Sequence, residues 1–339
     1  MEPVVLLVLS ALTILASVAP AVAYSLLVWW LDRYEKEPWG LLAATFVWGA
    51  VPAVLLALVV EFLLGIPFAT LFGEAVARLI SGSLIAPVVE ESVKGLALLL
   101  LFLLFRHEFD GILDGIVYGA LVGFGFGMTE NTLYFLGAMA EGGVGSWLIV
   151  VFVRTLMFGL NHGLFSGMVG LGLGYAVTAR SAWGRWLAPP LGLTLAVVVH
   201  AVHNLSTALS GDLCWPFLIS LINDWGGVSI LMLVVLFSWD RERTWIVREL
   251  RPEIQSGLLS PADYSTVVSY TRRMRAQWRA LSNDGLAQAR RVRRFHQLAA
   301  ELAFAKRRLA ISPGDGKLEN AVSRVRREMA ALREGVKTP

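Results

Sequence analysis

Long apolar stretches separated by short polar ones fill the first two thirds of the chain. Each stretch holds about 20 or more mainly apolar residues, the length an α-helix needs to cross the hydrocarbon core of a bilayer. The stretches are Val4–Leu31, Trp39–Leu64, Leu84–Phe105, Ile112–Met139, Trp147–Val177, Trp186–Leu209 and Trp215–Phe237. This pattern predicts an all-α, polytopic transmembrane helix bundle of about seven spans, with 67–83 as an interfacial or re-entrant segment.

The pattern changes after Phe237. Residues 238–339 contain 21 of the 29 lysines and arginines but only 11 of the 26 acidic residues. The run 260–263 predicts a capped helix start, and the run 312–316 predicts a break between helices. We expect two domains: a transmembrane bundle over residues 1–238 and a small, basic, helical cytoplasmic tail over residues 239–339.

Composition supports the membrane class. The 339 residues are 56% hydrophobic and 16% charged, whereas an ordinary soluble domain is about 25% charged. A single cysteine, Cys214, excludes an intrachain disulfide and a cysteine-rich metal site.

Basic residues in the short loops predict the orientation, because such residues stay on the cytoplasmic side. One set of alternate loops contains Arg33, Lys36, Arg106, Arg180 and Arg185, and the other set contains Arg78. We therefore expect the N-terminus outside the cell and the tail in the cytoplasm. There the tail would contact anionic lipid rather than nucleic acid, since acids interrupt its basic runs and aromatic residues are few.

Polar side chains one helical turn apart interrupt four of the apolar spans. A charged residue near the bilayer centre costs roughly 2.5–3.5 kcal/mol, so a reason to retain it is required. Spacings of three or four place such residues on one helix face, where they can point into a common interior. The groups are Glu90 and Glu91 with Lys94, Phe126 with Glu130 and Asn131, His162 with Ser166, and His200 with Asn204.

Lys94 can hold one of the two adjacent glutamates ionised while the other titrates, which suits a general base; a structural ion pair is the alternative. On the next span, glycines at four-residue intervals from 119 to 127 predict close approach of a neighbouring helix. Three further polar residues receive no catalytic role. We expect His203 off the face shared by His200 and Asn204, and Arg154 and Asp224 as counter-ions or packing groups.

The four motifs, in this order on successive helices, resemble the PrsW intramembrane proteases, relatives of the CAAX-prenyl endopeptidase and bacteriocin-processing group. The runs 32–38 and 114–119 also resemble stretches of that family, whereas the tail matches nothing in it. The resemblance implies cleavage of a membrane-embedded protein substrate, such as an anti-sigma factor, on the extracytoplasmic side.

The predicted reaction is peptide-bond hydrolysis by a glutamate-activated water. Glu90 or Glu91 acts as the base, and Asn204 stabilises the oxyanion. His162 and His200 position the water or protonate the leaving amine. Glu130 orients a histidine or completes a metal site, and the supporting residues are Lys94, Asn131 and Ser166.

Two other kinds of chemistry stay open. Glu90, Glu130, His162 and His200 have the ligand types that zinc accepts, although their spacing is not that of a HExxH helix and the preferred mechanism needs no cofactor. An ion-coupled transporter would use the same carboxylates and histidines as an ion path, but no inverted repeat supports it. An inert membrane scaffold leaves the four polar motifs without a purpose.

Overall fold

Helices account for nearly all of the chain in the computed structural model, which describes residues 3–105, 108–211, 214–311 and 313–333. Of the positions named above, Arg106 and the first residue of the run 312–316, Ser312, lie outside this part. The helices within it are α1 (Pro3–Leu31), α2 (Trp39–Trp48), α3 (Val54–Phe72), α4 (Glu74–Ile80), α5 (Ala86–Leu104), α6 (Ile112–Phe152), α7 (Asn161–Thr178), α8 (Ala182–Ala208), α9 (Cys214–Gln255), α10 (Pro261–Val267), α11 (Tyr270–Ile311) and α12 (Gly316–Arg333). π-Helical turns at Gly49–Ala53, Ser81–Ile85 and Val153–Met157 extend α2, α4 and α6.

Five helical stretches of the described chain are long and apolar enough to cross a membrane: Leu7–Leu31, Trp39–Phe72, Ile112–Thr178, Ala182–Gly211 and Cys214–Gln255. The predicted all-α membrane bundle is thereby confirmed. The third stretch has 67 residues, well beyond the roughly 20 that one crossing needs. Helix α5 has 19 residues, about 28 Å of helix, and it carries three of the charged residues singled out above.

The predicted span Trp147–Val177 is wrong as one continuous helix. Helix α6 runs on through Phe152, with a break at Gly143 (φ 67°), and ends in a π-helical turn. Residues 158–160 are then non-helical before α7 begins at Asn161. Apolar composition continues through this break, so the hydropathy pattern did not reveal it.

Glycines bring α6 and α7 into backbone contact. A Cβ added at Gly119 would overlap the carbonyl oxygen of Ser166, and one added at Gly123 would overlap that of His162. The close approach predicted from the glycine spacing is therefore confirmed. It places the first turn of α7 against the middle of α6.

The chain forms two compact units. One comprises Met1–Leu31 with Glu37–Val234, and the other comprises Asp32–Lys36 with Val235–Pro339. In the second unit, Tyr34 is buried in the apolar core beside residues of α9 and α11, and the guanidinium of Arg33 lies 3.2 Å from the centroid of the Trp239 ring. The loop after the first span is thus part of the tail's fold.

The predicted start and break of the tail helices are confirmed in the described residues. The Ser260 hydroxyl accepts a hydrogen bond from the amide of Asp263, whose carboxylate accepts one from the amide of Ser260, so α10 begins with a capping box. Helix α11 ends at Ile311, and Gly314 at φ 84° turns the chain into α12.

Candidate active site

Helix α5 carries three buried charged side chains. Glu91 and Lys94 are fully buried and Glu90 is 6% exposed. The Lys94 ammonium lies 3.0 Å from Oε2 of Glu90 and 2.7 Å from Oε1 of Glu91. One cation therefore compensates two carboxylates, as the i+4 and i+3 spacings predicted.

Glu91 connects α5 to α7 and α8. Its Oε2 accepts a hydrogen bond from the Ser166 hydroxyl at 3.1 Å, and its Oε1 lies 3.0 Å from Nδ1 of His200. The ring of Phe165 stacks on the His200 ring at a centroid distance of 4.4 Å. Carboxylate and stacking together set the orientation of this imidazole, and among the described residues none bonds its Nε2.

His162 lies between a cation and an anion. Its Nδ1 is 3.3 Å from the Lys94 ammonium and its Nε2 is 2.7 Å from Oε2 of Glu130. An ammonium can only donate, so Nδ1 accepts and Nε2 carries the ring proton, beside the carboxylate. The same ammonium lies 3.9 Å from the ring centroid of Phe126, which explains the aromatic residue of that motif through a cation–π contact.

Arg154 is a counter-ion of Glu130, one of the two roles expected for it. Its Nη2 donates to Oε2 of Glu130 at 2.7 Å and its Nε donates to Oδ1 of Asn131 at 2.6 Å. The guanidinium also lies 3.9 Å from the ring centroid of Tyr134. The break at Gly143 lets the chain fold back between Glu130 and Arg154, and Asn131 helps to fix the arginine there.

A cavity of about 490 Å³ opens beside these groups. The polar residues in its wall include Arg78, Glu130, Asn131, Arg154, Asn161, His162, His200, His203 and Asn204. The cavity wall, as formed by the described residues, does not include Glu90, Glu91 or Lys94. Glu91 contacts the imidazole of His200, and Lys94 contacts that of His162. The Glu91 carboxylate can therefore act on a molecule in this cavity through His200, which it contacts.

Asn204 lines the cavity. It also makes a contact that the sequence did not indicate. Its Nδ2 donates to the carbonyl of Gly82 at 2.8 Å. This carbonyl belongs to the π-helical turn before α5. The carboxamide has a second N–H, so one bond to Gly82 does not exhaust its donors.

His203, expected off the face that His200 and Asn204 share, does contact another helix but also reaches the cavity. Its ring lines the cavity, and its Nδ1 lies 2.7 Å from Oδ2 of Asp224 on α9. The helical-wheel argument considered one face of α8, the face of His200 and Asn204. The cavity also contacts the neighbouring face, which carries His203. The available signal was an aspartate within an apolar span, which needs a partner.

Three carboxylate–imidazole pairs thus meet at one cavity. They are Glu91 with His200, Glu130 with His162, and Asp224 with His203. Each carboxylate lies within 3.0 Å of one ring nitrogen, and the contact between Glu91 and His200 is a hydrogen bond. An arrangement of this kind can accept, hold and donate protons beside a bound substrate.

The site contains donors of the kinds that bind zinc. Atoms of Glu90, Glu91 and His200 lie within 4.8 Å of one another, and carboxylate and imidazole are ordinary zinc ligands. Glu130 and His162, also expected as ligands, pair with each other at 2.7 Å outside that group. The donor types fit a metal ion, but the Lys94 ammonium already contacts both glutamates.

Comparisons with known proteins agree with the geometry. Residues 37–239 match the sequence profile described as PrsW family intramembrane metalloprotease. The chain is 32% identical over 210 residues to Protease PrsW of Bacillus subtilis (strain 168), an alignment that covers 61% of this chain and 88% of the relative. Identity to Protease PrsW of Geobacillus kaustophilus (strain HTA426) is 33% over 180 residues, covering 51% and 73%. No solved structure matches the chain.

The helix contact at Gly123 generates a prediction. Gly123→Ala would press α7 away from α6 at His162, so we expect a loss of stability of about 1–3 kcal/mol and a fall in the cleavage rate of up to about 100-fold from the displaced imidazole. Thermal unfolding in detergent and cleavage of a single-span substrate measure the two effects.

Gly137→Ala is the matched control, because a Cβ at this other α6 position meets no atom within 4 Å. It should leave both quantities near wild type. A fully active Gly123→Ala protein would show that the backbone contact does not position His162.

Proposed function

The chain belongs to the PrsW family of intramembrane metalloproteases and is an intramembrane peptidase; we propose that Glu91 activates the attacking water through His200. One observation carries this proposal: the carboxylate of Glu91 lies 3.0 Å from Nδ1 of His200, and the His200 ring lines the cavity. The family match favours peptide hydrolysis over ion-coupled transport.

In the proposed first step, Nε2 of His200 takes a proton from water as the water oxygen adds to the scissile carbonyl. Glu91 holds the Nδ1 proton and stabilises the imidazolium that forms. Carboxylate–imidazole pairs act in this way in other hydrolases. General-base catalysis of this kind contributes a factor of about 10²–10⁴ to the rate.

Lys94 makes a charged Glu91 tolerable in a membrane-spanning helix, and Glu90 shares the same ammonium. Without the ammonium, two adjacent buried carboxylates would repel each other and resist ionisation. Ser166 adds a hydrogen bond to the second oxygen of Glu91. We propose that these three residues support the base and do not contact the substrate.

Glu130 and His162 have a separate proposed role. Both ring nitrogens of His162 are occupied, by Lys94 and by Glu130, so this histidine is better suited to positioning the substrate or water than to taking its proton. Asn204 lies on the cavity wall, where its second N–H can stabilise the oxyanion.

A bound metal ion is the alternative within the same site. Glu90, Glu91 and His200 would hold it after displacement of the Lys94 ammonium, and the ion would supply Lewis-acid polarisation of the scissile carbonyl. We propose the metal-free reaction, because the ammonium already satisfies the charge of the donors. The steps above use only the chain's own residues.

The substrate proposal comes from the family resemblance. We propose a single-span protein such as an anti-sigma factor, cleaved on the extracytoplasmic side. For the tail we propose a cytoplasmic position on anionic lipid. The exposed face of α11 that would make this contact contains Arg275, Trp278 and Arg279, the tryptophan being 66% exposed.

The proposed base generates the first prediction of this section. Glu91→Gln keeps the side-chain size but removes the charge that orients and stabilises His200, so we expect turnover of a co-reconstituted single-span anti-sigma factor to fall by at least about 100-fold. Glu90→Gln should be less damaging, because among the described residues the Glu90 carboxylate forms a hydrogen bond with Lys94 alone. Cleavage products are measured by gel electrophoresis and mass spectrometry.

Glu141→Gln is the control for this pair, since it changes an exposed glutamate of α6 and should retain full activity. Near wild-type turnover in both α5 variants would contradict the proposal that Glu91 activates the water through His200. Absence of any anti-sigma factor cleavage by an enzyme that cuts another membrane protein would contradict only the substrate proposal.

Metal dependence is decided by chelation. We expect the purified enzyme to keep its activity after exhaustive treatment with a strong chelator, because the site's charge is balanced by Lys94. Elemental analysis should find no stoichiometric metal. A stoichiometric ion that disappears in His200→Ala, together with activity restored by zinc after chelation, would establish the metal-dependent reaction instead.

The tail proposal is tested by hydrogen exchange of the full chain in nanodiscs. Amides of 270–284 should exchange more slowly in discs containing phosphatidylserine than in phosphatidylcholine discs, and high salt should remove the difference. The double variant Arg275→Gln/Arg279→Gln should lose this protection without losing cleavage activity. Arg327→Gln, an exposed change on α12, serves as the control for general charge loss.

Equal exchange in the two kinds of disc would contradict lipid binding by this face. The orientation has its own readout, because trypsin should cut the tail in inside-out vesicles and spare it in right-side-out ones. The reverse result would place the tail outside the cytoplasm.

A further inference from the structure

The pair formed by His203 and Asp224 belongs to none of the four motifs and has no part in the reaction described above. Nδ1 of His203 lies 2.7 Å from Oδ2 of Asp224. The histidine lines the cavity, whereas the aspartate is 2% exposed and lies behind it. The order is the same as for Glu91 and His200: a buried carboxylate, then an imidazole, then the cavity.

Each oxygen of Asp224 has a close polar neighbour, although Oδ2, 2.7 Å from Nδ1 of His203, forms no hydrogen bond among the described residues. Oδ1 accepts a hydrogen bond from Nδ2 of Asn223 at 2.9 Å, and the same amide nitrogen donates to the carbonyl of Val199 on α8. A carboxylate within a membrane-spanning helix is costly unless it is paired. The imidazole of His203 is the group in contact with Asp224 that can become cationic, so the pair is built to stabilise a protonated histidine.

Asn161 provides a partner for either protonation state of His203. Its Nδ2 lies 3.3 Å from both ring nitrogens. The amine end of the carboxamide can donate to a neutral imidazole, and after a half-turn the carbonyl end can accept from an imidazolium. Phe158 packs edge-on against the ring at a centroid distance of 4.8 Å and limits its movement.

Peptide hydrolysis requires a group of this kind. Addition of water gives one proton to the base, and breakage of the C–N bond requires another proton on the departing nitrogen, because an amide anion is a very poor leaving group. His162 has both nitrogens occupied and His200 is the proposed base. A third imidazole at the cavity can therefore divide the acid and base roles between two histidines.

We propose that His203 protonates the leaving amine and that Asp224 is its positioning residue. As the C–N bond of the tetrahedral intermediate breaks, its electron pair goes to nitrogen, which takes the Nε2 proton of the His203 imidazolium. The Nδ1 proton stays on the side of Asp224. His200 then holds the proton taken from water, and its return to His203 through water in the cavity restores both residues.

This inference rests on the proposed function, and its test separates the two. The scissile bond of a single-span substrate is first identified from the wild-type products by mass spectrometry. A second substrate then carries an ester at that bond, whose alcohol leaves with much less need of protonation than an amine. Rates on the peptide and the ester substrates are compared in the same detergent.

We expect His203→Gln to reduce peptide hydrolysis by about 10²–10⁴-fold, the usual contribution of a general acid, and ester hydrolysis by less than about tenfold. Asp224→Asn should show the same preference for the ester with a smaller loss. This ratio reports on leaving-group protonation, and a purely structural role would not change it.

Ser220→Ala is the matched control. Ser220 is fully buried on α9, one turn before Asp224, and among the described residues its hydroxyl has no hydrogen-bond partner. This variant should keep the wild-type ratio. Thermal unfolding shows whether each variant is folded, and Asp224→Asn carries the test if His203→Gln is not.

Equal losses on the two substrates, or no loss on either, would overturn the role of His203 and leave the base assignment intact. Wild-type protein that hydrolyses neither substrate would contradict the proposed function itself. In Glu91→Gln, we expect equal losses of activity on the two substrates. Together with a loss selective for the peptide substrate in His203→Gln, that result would support separate residues for the base and the acid.

Discussion

The site depends on one buried cation. The Lys94 ammonium contacts both α5 glutamates and His162 and lies against the ring of Phe126. Removal of one partner of a buried ion pair typically costs about 3–5 kcal/mol, because the other charge is left uncompensated. Because this cation compensates the Glu91 carboxylate, that carboxylate can stay beside Nδ1 of His200. On the proposed mechanism, Lys94 thereby supports both the stability and the reactivity of the site.

Glycine packing is what brings that cation and its partners together. Bulkier residues on α6 would push the first turn of α7 away from α6, because Gly123 contacts the backbone of His162 directly. His162 could then not reach Lys94 and Glu130 at once. In a bilayer, where burial of apolar side chains drives little helix association, close backbone contact of this kind is a main source of packing energy. The same glycines thus serve stability and geometry.

Sequence spacing was sufficient for the parts of the site that lie on single helix faces. Pairs at i+3 and i+4 predicted the contacts of Lys94, and the glycine interval predicted the approach of α6 and α7. The His203–Asp224 pair was beyond such reasoning, because it depends on how α8 and α9 rotate against each other around the cavity. The burial of Tyr34 in the tail's core was likewise hidden, since it joins residues more than 200 positions apart. Hydropathy also missed the break before α7, where apolar residues continue without a helix.

The three histidines at the cavity differ in what their second nitrogen can do, and the roles proposed for them follow from this difference. His162 has a cation on one nitrogen and a carboxylate on the other, so it is fixed in one tautomer. His200 has a carboxylate on Nδ1 and lines the cavity with the rest of its ring, which suits proton acceptance from water. His203 has a carboxylate and a carboxamide able to present either a donor or an acceptor, which suits a residue that changes protonation state in each turnover. In the proposed reaction, similar side chains thus acquire separate functions from their partners, as paired titratable groups in different environments do in other enzymes.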